Sequence, residues 1–246
     1  MRYIISDIHG CYEEYIELLD KIKFSRNDEL YILGDAMDRG PEPIKVMQDI
    51  MMRPNATYII GNHDFTMLHI MKKLTVEITE DNFASHLSGF DLWDYTLWVK
   101  DGGEVTSRQF AALPREEQQD ILEYLRDALV YEVLEDKGRK FILVHAGISD
   151  FQEDKDLYEY NFDDFIFERP DYSKRYYRDG KTYVVTGHTP TCNINPDRRT
   201  DVYQGNGHIA IDCGCVFGGK LAAYCIETRD VTYVNSRHVY NREEMK

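Results

Sequence analysis

The stretch Leu30-Tyr31-Ile32-Leu33-Gly34-Asp35-Ala36-Met37-Asp38-Arg39-Gly40-Pro41 decides how the rest of the chain is read. Four apolar residues run into a glycine, two acids and an arginine, the pattern of a buried strand spilling into a polar loop. Loops at strand ends are where binding and catalytic groups collect. Taken alone, the part from Gly34 to Gly40 is equally a glycine-bounded turn with solvated charges. Its neighbours favour the first reading: Asp7-Ile8-His9-Gly10 follows the run Tyr3-Ile4-Ile5 upstream, and Gly61-Asn62-His63-Asp64 follows Ala56-Thr57-Tyr58-Ile59-Ile60 downstream.

Between these polar clusters the period changes. Tyr12, Ile16, Leu19 and Ile22 recur at three and four residues with acids between them, which predicts an amphipathic helix, and a second helix is predicted over 43–52. Strands alternating with helices argue for a mainly parallel α/β core, whose ligands bind beyond the carboxyl ends of the strands. Strand patterns return at 140–144 and 182–186, delivering His145-Ala146-Gly147 and Gly187-His188-Thr189-Pro190. Further strands at 209–212, 221–226 and 231–234 follow without helices, which suggests an antiparallel portion or a second sheet. Between Phe65 and Lys140 longer helical stretches, at 66–74 and 116–129 with a break at Asp101-Gly102-Gly103, predict a helical insertion flanking the site. Residues 151–177 lack a clear period and read as loop with a short helix.

The chain has 246 residues, enough for one large α/β domain with a substantial core, and residues 1–246 are expected to form a single domain. With 29 basic against 44 acidic residues the formal net charge is −15, which disfavours bulk nucleic acid or an anionic membrane as partner. Buried metal ions would offset part of that charge. The five cysteines are odd in number and contain no CxxC pair, so neither a disulfide framework nor a structural zinc site is expected, and a reducing cytoplasm is the simplest location. No secretion signal or membrane-spanning run is recognisable.

Just past the predicted strand ends lie Asp7, His9, Asp35, Asp38, Arg39, Asn62, His63, His145 and His188. Carboxylate, imidazole and one amide together suit Mn, Fe or Zn, whereas Ca and Mg favour oxygen donors alone. The candidates are too many for one ion. Two ions about 3.5–4 Å apart need a carboxylate between them, and such a pair activates water for in-line attack on phosphorus.

The five blocks Asp7-x-His9-Gly10, Gly34-Asp35-x-x-Asp38-Arg39-Gly40, Gly61-Asn62-His63-Asp64, His145-Ala146-Gly147 and Gly187-His188 resemble, in order and over residues 1–226, the calcineurin-like metallophosphoesterases. The likeness is to their phosphoprotein phosphatase (Ser/Thr) branch of bacterial and phage type. The resemblance implies two packed mixed β-sheets flanked by helices, an αββα sandwich. It implies two divalent metal ions, with manganese the first choice and iron or zinc possible: one held by Asp7, His9 and Asp35, the other by Asp35, Asn62, His145 and His188, with Asp35 bridging. A metal-bridging hydroxide would attack phosphorus, His63 would act as general acid oriented by Asp38, and Arg39 would grip the phosphate oxygens. That division suits the chemistry of a protonated histidine and a bidentate guanidinium. The family's second arginine lies between the two late histidines; Arg169 is the candidate, with Arg175 and Arg178 nearby. The segment 212–221 resembles the closing glycine-rich block of bacterial members. On its residues alone it is a turn between core strands with Cys213 and Cys215 as small fillers. His69, His86, His208 and His238 lack a strand-end context and read as structural or exposed.

The expected activity is hydrolysis of phosphate monoesters, foremost on phosphorylated Ser or Thr of proteins. The alternatives are symmetrical bis(5'-nucleosyl)-tetraphosphatase or nucleotide-cap hydrolysis, and a catalytically inactive phosphoprotein-binding scaffold. Symmetrical tetraphosphatases resemble this chain but carry Ala where it has Asp38, and His188-Thr189-Pro190 is closer to the phosphatases. The substrate would thus be a phosphorylated protein or a small phosphoester or nucleotide. With every expected ligand residue in place, the scaffold reading is the weakest.

Overall fold

The chain begins β1 (Arg2–Ile5), α1 (Tyr12–Lys21), β2 (Glu29–Ile32), α2 (Pro43–Met51) and β3 (Ala56–Tyr58). Helices α3 (Asn62–Leu74), α4 (Gly89–Trp98), α5 (Glu104–Ala111) and α6 (Arg115–Arg126) follow, then strands β4 (Tyr131–Asp136) and β5 (Arg139–Val144). A short α7 (Asp163–Ile166) precedes β6 (Thr182–Thr186), β7 (Tyr203–Gly205), β8 (His208–Ala210), β9 (Lys220–Cys225) and β10 (Val231–Asn235). The computed structural model describes residues 1–76 and 89–238, so His86 lies outside the described residues. No helix among the described residues is long and apolar enough to cross a membrane.

The described strands form two five-stranded sheets, ordered β10-β9-β1-β2-β3 and β4-β5-β6-β8-β7. In each, three consecutive strands run parallel and the remaining pairs are antiparallel: β1 with β2 and β3 in the first, β5 with β6 and β8 in the second. The period-2 alternation of the strands assigns the layers. Ile5, Leu30 and Ile32 pack outward with Leu18 of α1 and Met47 and Ile50 of α2. Ile4, Tyr31, Leu33 and Ile59 face inward onto Phe141, Leu143, Val185 and Ile209 of the other sheet. Ile142, Val144 and Val184 turn away from that shared layer, onto Tyr160, Phe165 and Ile166. The result is the expected αββα sandwich, and it places the ends of β1, β2, β5, β6 and β8 beside one another.

Local chemistry explains the helices that aim the site. Helix α1 opens with Glu13 and Glu14 and closes on Lys21, complementing its dipole. Pro43 occupies the first turn of α2, where its missing N–H costs nothing. Helix α3 starts directly after Gly61, whose N–H is taken by the Asp64 carboxylate at 3.1 Å. That cap sets the direction of Asn62 and His63.

Two expectations need correction. The span 65–140, read as a helical insertion, holds helices only up to Arg126; from Tyr131 it is strand. Lys137 and Gly138 both have positive φ (47° and 74°) and close a two-residue hairpin between Asp136 and Arg139. Strand β4 is a half-buried edge strand carrying Glu132, Glu135 and Asp136, so its apolar signal is weak. The helix expected over 116–129 accordingly stops early, and Leu129 instead makes a parallel bridge to Ile59. Helices α4 and α5 fall inside the span read as helical but had no bounds of their own there, and β7 has no counterpart in the sequence reading.

Because Leu143 is fully buried between the sheets, Leu143→Ala is expected to lower stability by about 2–5 kcal/mol in urea unfolding. Met52→Ala, at a residue 83% exposed, should stay within about 0.5 kcal/mol.

Candidate active site

Six side chains of the predicted site stand on residues with left-handed backbone: Asp7 (φ 49°), His9 (43°), Asp35 (54°), Asp38 (70°), Arg39 (67°) and His188 (63°). Each such residue costs about 1–3 kcal/mol unless its surroundings compensate, and such positions gather at functional sites. Here the loops hold one another. Asp7 N–H donates to Gly34 O at 3.1 Å, His9 N–H to Asp35 O at 2.9 Å and Gly10 N–H to Ala36 O at 3.0 Å. The carboxylate of Asp64 accepts the N–H of Asp35 (2.7 Å), the N–H of Met37 (3.3 Å) and the Tyr58 hydroxyl (2.7 Å). Burial, with Asp35 nearby, pushes the Asp64 carboxyl up to about 6. Gly61 has no alternative, since a Cβ there would overlap the Asp35 carboxylate.

Asp35 sits at the centre. Its Oδ1 takes the His63 N–H at 3.0 Å, and its Oδ2 lies 3.6 Å from His9 Nε2 and 3.5 Å from His145 Nε2. The outer nitrogens of both imidazoles bond to backbone carbonyls, His9 Nδ1 to Met37 O at 2.7 Å and His145 Nδ1 to Leu33 O at 2.6 Å. A carbonyl can only accept, so in the neutral rings the proton is on Nδ1 and the Nε2 lone pair faces inward. His145 Nε2 then meets Asn62 Oδ1, another acceptor, at 2.9 Å, and His188 Nδ1 approaches the same oxygen at 2.8 Å. Lone pairs converging on one another describe a place for a cation. Ligand atoms of His9, Asp35 and His63, and of Asp35, His145 and His188, gather within 4.8 Å in each group, compatible with a dinuclear metal site.

Asp7 joins from the other side: its carboxylate accepts the His188 N–H at 3.1 and 3.0 Å and contacts the Ser6 hydroxyl. Asp212, not among the sequence candidates, is also buried there and lines the same cavity as Asp35 and His188. It follows the run Ile209-Ala210-Ile211, the same strand-end signal that marked the other blocks.

The charges are out of balance without cations. Burial, then Asp212 and Asp35, hold the Asp7 carboxyl well above its ordinary range, and burial pushes Asp212 up to about 6. Asp35 is shifted the other way: burial opposes its charge, but His145, His63, His9 and His188 together outweigh it and lower its pKa. Burial and Arg39 hold His9 neutral, and burial with His145 pushes His188 down to about 3. Three buried carboxylates facing neutral imidazoles are the donor set that a pair of divalent cations satisfies.

His63 is set apart. Its Nδ1 bonds Asp38 Oδ2 at 2.8 Å, and although burial works against its charge, Asp35 and Asp38 raise its pKa. Asp38 is held by residues that sequence reasoning missed. The Trp98 indole donates to the same Oδ2 at 2.7 Å, and the Thr106 hydroxyl accepts the Asp38 N–H at 2.9 Å. Both come from the helical insertion, which also closes on Arg39: the Arg39 N–H donates to Gly102 O at 2.9 Å. Gly102, at φ 103°, packs so closely on the Arg39 side chain that a Cβ would lie 2.5 Å from its Cγ. Asp101 spans Arg39 Nη2 (3.2 Å) and His63 Nε2 (3.5 Å) with its carboxylate, and its side chain is 64% exposed. Arg39 also donates to His9 Nε2 at 2.8 Å and lies over the Phe217 ring at 5.2 Å. These contacts depend on long-range placement and leave no local motif.

A cavity of about 250 Å³ unites Asp35, Arg39, Asn62, His63, Arg169 and Asp212. Of the other two arginines considered, Arg175 lies against the β7–β8 turn at Gly207 and Arg178 pairs with Glu153 at 3.8 Å. His208 is buried, its Nε2 bonded to Lys174 O at 2.7 Å, and His69 is exposed.

Replacing Trp98 by Phe keeps an aromatic ring but removes one hydrogen bond to a buried carboxylate, worth about 1.5–3 kcal/mol. The expected result is a fall in kcat of roughly 10- to 100-fold, measured with manganese and an alkyl phosphate. An unchanged kcat would remove Trp98 from the site.

Comparison with known proteins agrees with this geometry. The chain is 29% identical over 269 residues to asymmetrical bis(5'-nucleosyl)-tetraphosphatase PrpE of Oceanobacillus iheyensis, covering 98% of this chain and 94% of that protein. It is 31% identical to the protein of the same name from Geobacillus thermodenitrificans, covering 89% of this chain and 88% of the relative. Among solved structures, one described as a putative diadenosine tetraphosphatase superposes with a TM-score of 0.66 at 20% identity, over 97% of this chain and 94% of the other, which speaks for the fold alone. Residues 3–234 match the family described as calcineurin-like phosphoesterase, and the chain belongs to that family.

Proposed function

We propose that the protein is a dinuclear-metal phosphoesterase whose substrates are bis(5'-nucleosyl) tetraphosphates, cleaved asymmetrically to a nucleoside triphosphate and a monophosphate. The observation that carries the substrate class is the likeness, over nearly the whole chain, to two proteins named for that reaction. This revises the expectation of a Ser/Thr protein phosphatase. The argument from Asp38 separated this chain from symmetrical tetraphosphatases only, and says nothing against asymmetrical ones. The site offers independent support. Beside Asn62 and His63 a second cavity of about 500 Å³ runs along Phe65, His69, Leu97 and Trp98. An aromatic and apolar wall next to a phosphate site suits a nucleobase, whose stacking is worth about 1–3 kcal/mol.

Asp7, His9 and Asp35 would hold one divalent ion and Asp35, Asn62, His145 and His188 the second; bound there, the pair supplies water activation and charge neutralisation. Arg39 and Arg169 take the non-bridging phosphate oxygens, and the phosphate displaces the exposed Asp101 carboxylate from its position between Arg39 and His63. His63, oriented through its Nδ1 by Asp38, delivers its Nε2 proton to the leaving oxygen. An anhydride leaving group is a far weaker base than an alkoxide. The proton therefore matters less for a tetraphosphate than for a serine phosphate.

Parallel kinetics on diadenosine tetraphosphate and a phosphoserine peptide test the reading. The expected preference for the nucleotide is 100-fold or more in kcat/KM, about 2.7 kcal/mol, with AMP and ATP as products. ADP as sole product would assign symmetrical cleavage, and a preference for the peptide would restore the protein phosphatase. Chelation should abolish turnover and manganese restore it. Asp35→Asn should cost at least about 100-fold. His63→Asn should lower kcat by about 100- to 10,000-fold on an alkyl phosphate and by clearly less on the tetraphosphate. Equal losses on both would remove the proton-donor role.

A further inference from the structure

A second group of metal-ligating side chains lies beside the active site and is not used by the chemistry above. Cys11 caps the N-terminus of α1, Glu14 lies within its first turn, Cys215 opens a short turn Cys215–Phe217, and His238 follows β10. Cys11, Glu14 and Cys215 are all buried, at 0%, 3% and 2% exposure. The Cys11 sulfur lies 3.5 Å from His238 Nε2, and the Cys215 thiol interacts with it from the neighbouring turn. Ligand atoms of Cys11, Glu14 and His238 fall within 4.8 Å of one another.

We infer that Cys11, Cys215, His238 and Glu14 form a third metal site, selective for a thiophilic divalent cation of the zinc class and separate from the pair at Asp35. The donor set is two sulfurs, one imidazole nitrogen and one carboxylate oxygen, a tetrahedral zinc combination. The spacing agrees. With arms of about 2.3 Å to sulfur and about 2.05 Å to nitrogen at a tetrahedral angle, the S···N edge is about 3.6 Å, against the 3.5 Å found between Cys11 and His238.

Charge also balances. Two thiolates and the Glu14 carboxylate face the dication and the Arg237 guanidinium, whose Nη1 lies 3.9 Å from Glu14 Oε2. Glu14 Oε1 is occupied by the Arg237 N–H at 2.8 Å, which leaves Oε2 for the metal. Two thiolates favour zinc, cobalt(II) or cadmium over the manganese or magnesium that oxygen donors prefer. The site leaves no local sequence pattern, because Cys11 and Glu14 lie more than 200 positions from Cys215 and His238 and no CxxC is present. Its place gives it a consequence. Cys11 is two residues from His9, Cys215 begins the turn whose Phe217 lies under Arg39, and His238 lines the outer cavity with Arg39 and Phe217. An ion there ties the residues after β10 to the floor of the active site.

Cobalt(II) provides the test, since a near-ultraviolet thiolate-to-cobalt absorption reports sulfur ligation and the centre at Asp35 offers no sulfur. The full-length protein, stripped of metal and kept reduced with a non-thiol reductant, is titrated with Co²⁺. One thiolate-bound cobalt per chain is expected, displaced by Zn²⁺, present in Asp35→Asn and reduced to about half its intensity in Cys215→Ser. His238→Ala, a change at a partly exposed side chain that preserves folding, should weaken it at least about tenfold. Absence of the band in the wild-type protein, an undiminished band in Cys215→Ser, or unchanged affinity in His238→Ala and Glu14→Gln would each overturn the site and leave an S–H···N hydrogen bond in its place.

Discussion

The structure turns on burying one carboxylate, Asp35, where three strand-end loops meet. Its own backbone N–H is held by Asp64, its Oδ1 holds the first turn of α3 through His63, and its Oδ2 faces the imidazoles of His9 and His145. A charged oxygen in that position is costly unless several donors or cations surround it. The left-handed residues, the glycine at 61 and the carbonyl-anchored histidines all serve to surround it. The sandwich supplies rigid ends for these loops, and the loops in turn lock the first sheet to the second through His145 and Leu33.

The helical insertion is part of the site rather than a cover for it. Through Trp98, Thr106 and Gly102 it fixes both the side chain and the backbone of the Asp38-Arg39 pair. One carboxylate oxygen of Asp38 is shared between the ring of His63 and the indole, while the other is buried without a partner among the described residues. Concentrated negative charge at that point favours the imidazolium of His63 and disfavours any other use of Asp38. Asp101, spanning His63 and Arg39 from the exposed side, shows that an anion fits between them.

Substrate choice belongs to a different level of the molecule. A fold by itself does not select a substrate. On the proposed reading, nucleotide is told from phosphopeptide by the wall beside Asn62 and His63, formed by Phe65, His69, Leu97 and Trp98 of α3 and the insertion. Asp38 carried much of the expectation of a protein phosphatase, yet it lies beneath His63 and away from the part of the site that a leaving group would occupy.

The residues by themselves determined the parallel strand-helix order and the positions of the polar strand ends that carry Asp7, His9, Asp35, Asn62, His145 and His188, because each of these signals is local: an apolar run, then glycine and donors. The edge strand β4 escaped notice because an exposed, charged strand carries little period-2 contrast. Only the tertiary structure decided that Asp212 belongs with Asp7, that Trp98 and Thr106 hold Asp38, and that Cys11 meets Cys215 and His238. Those contacts join residues far apart in the chain, and a hydrogen bond or a ligand edge of three or four ångströms is set by how layers pack, which no local pattern encodes.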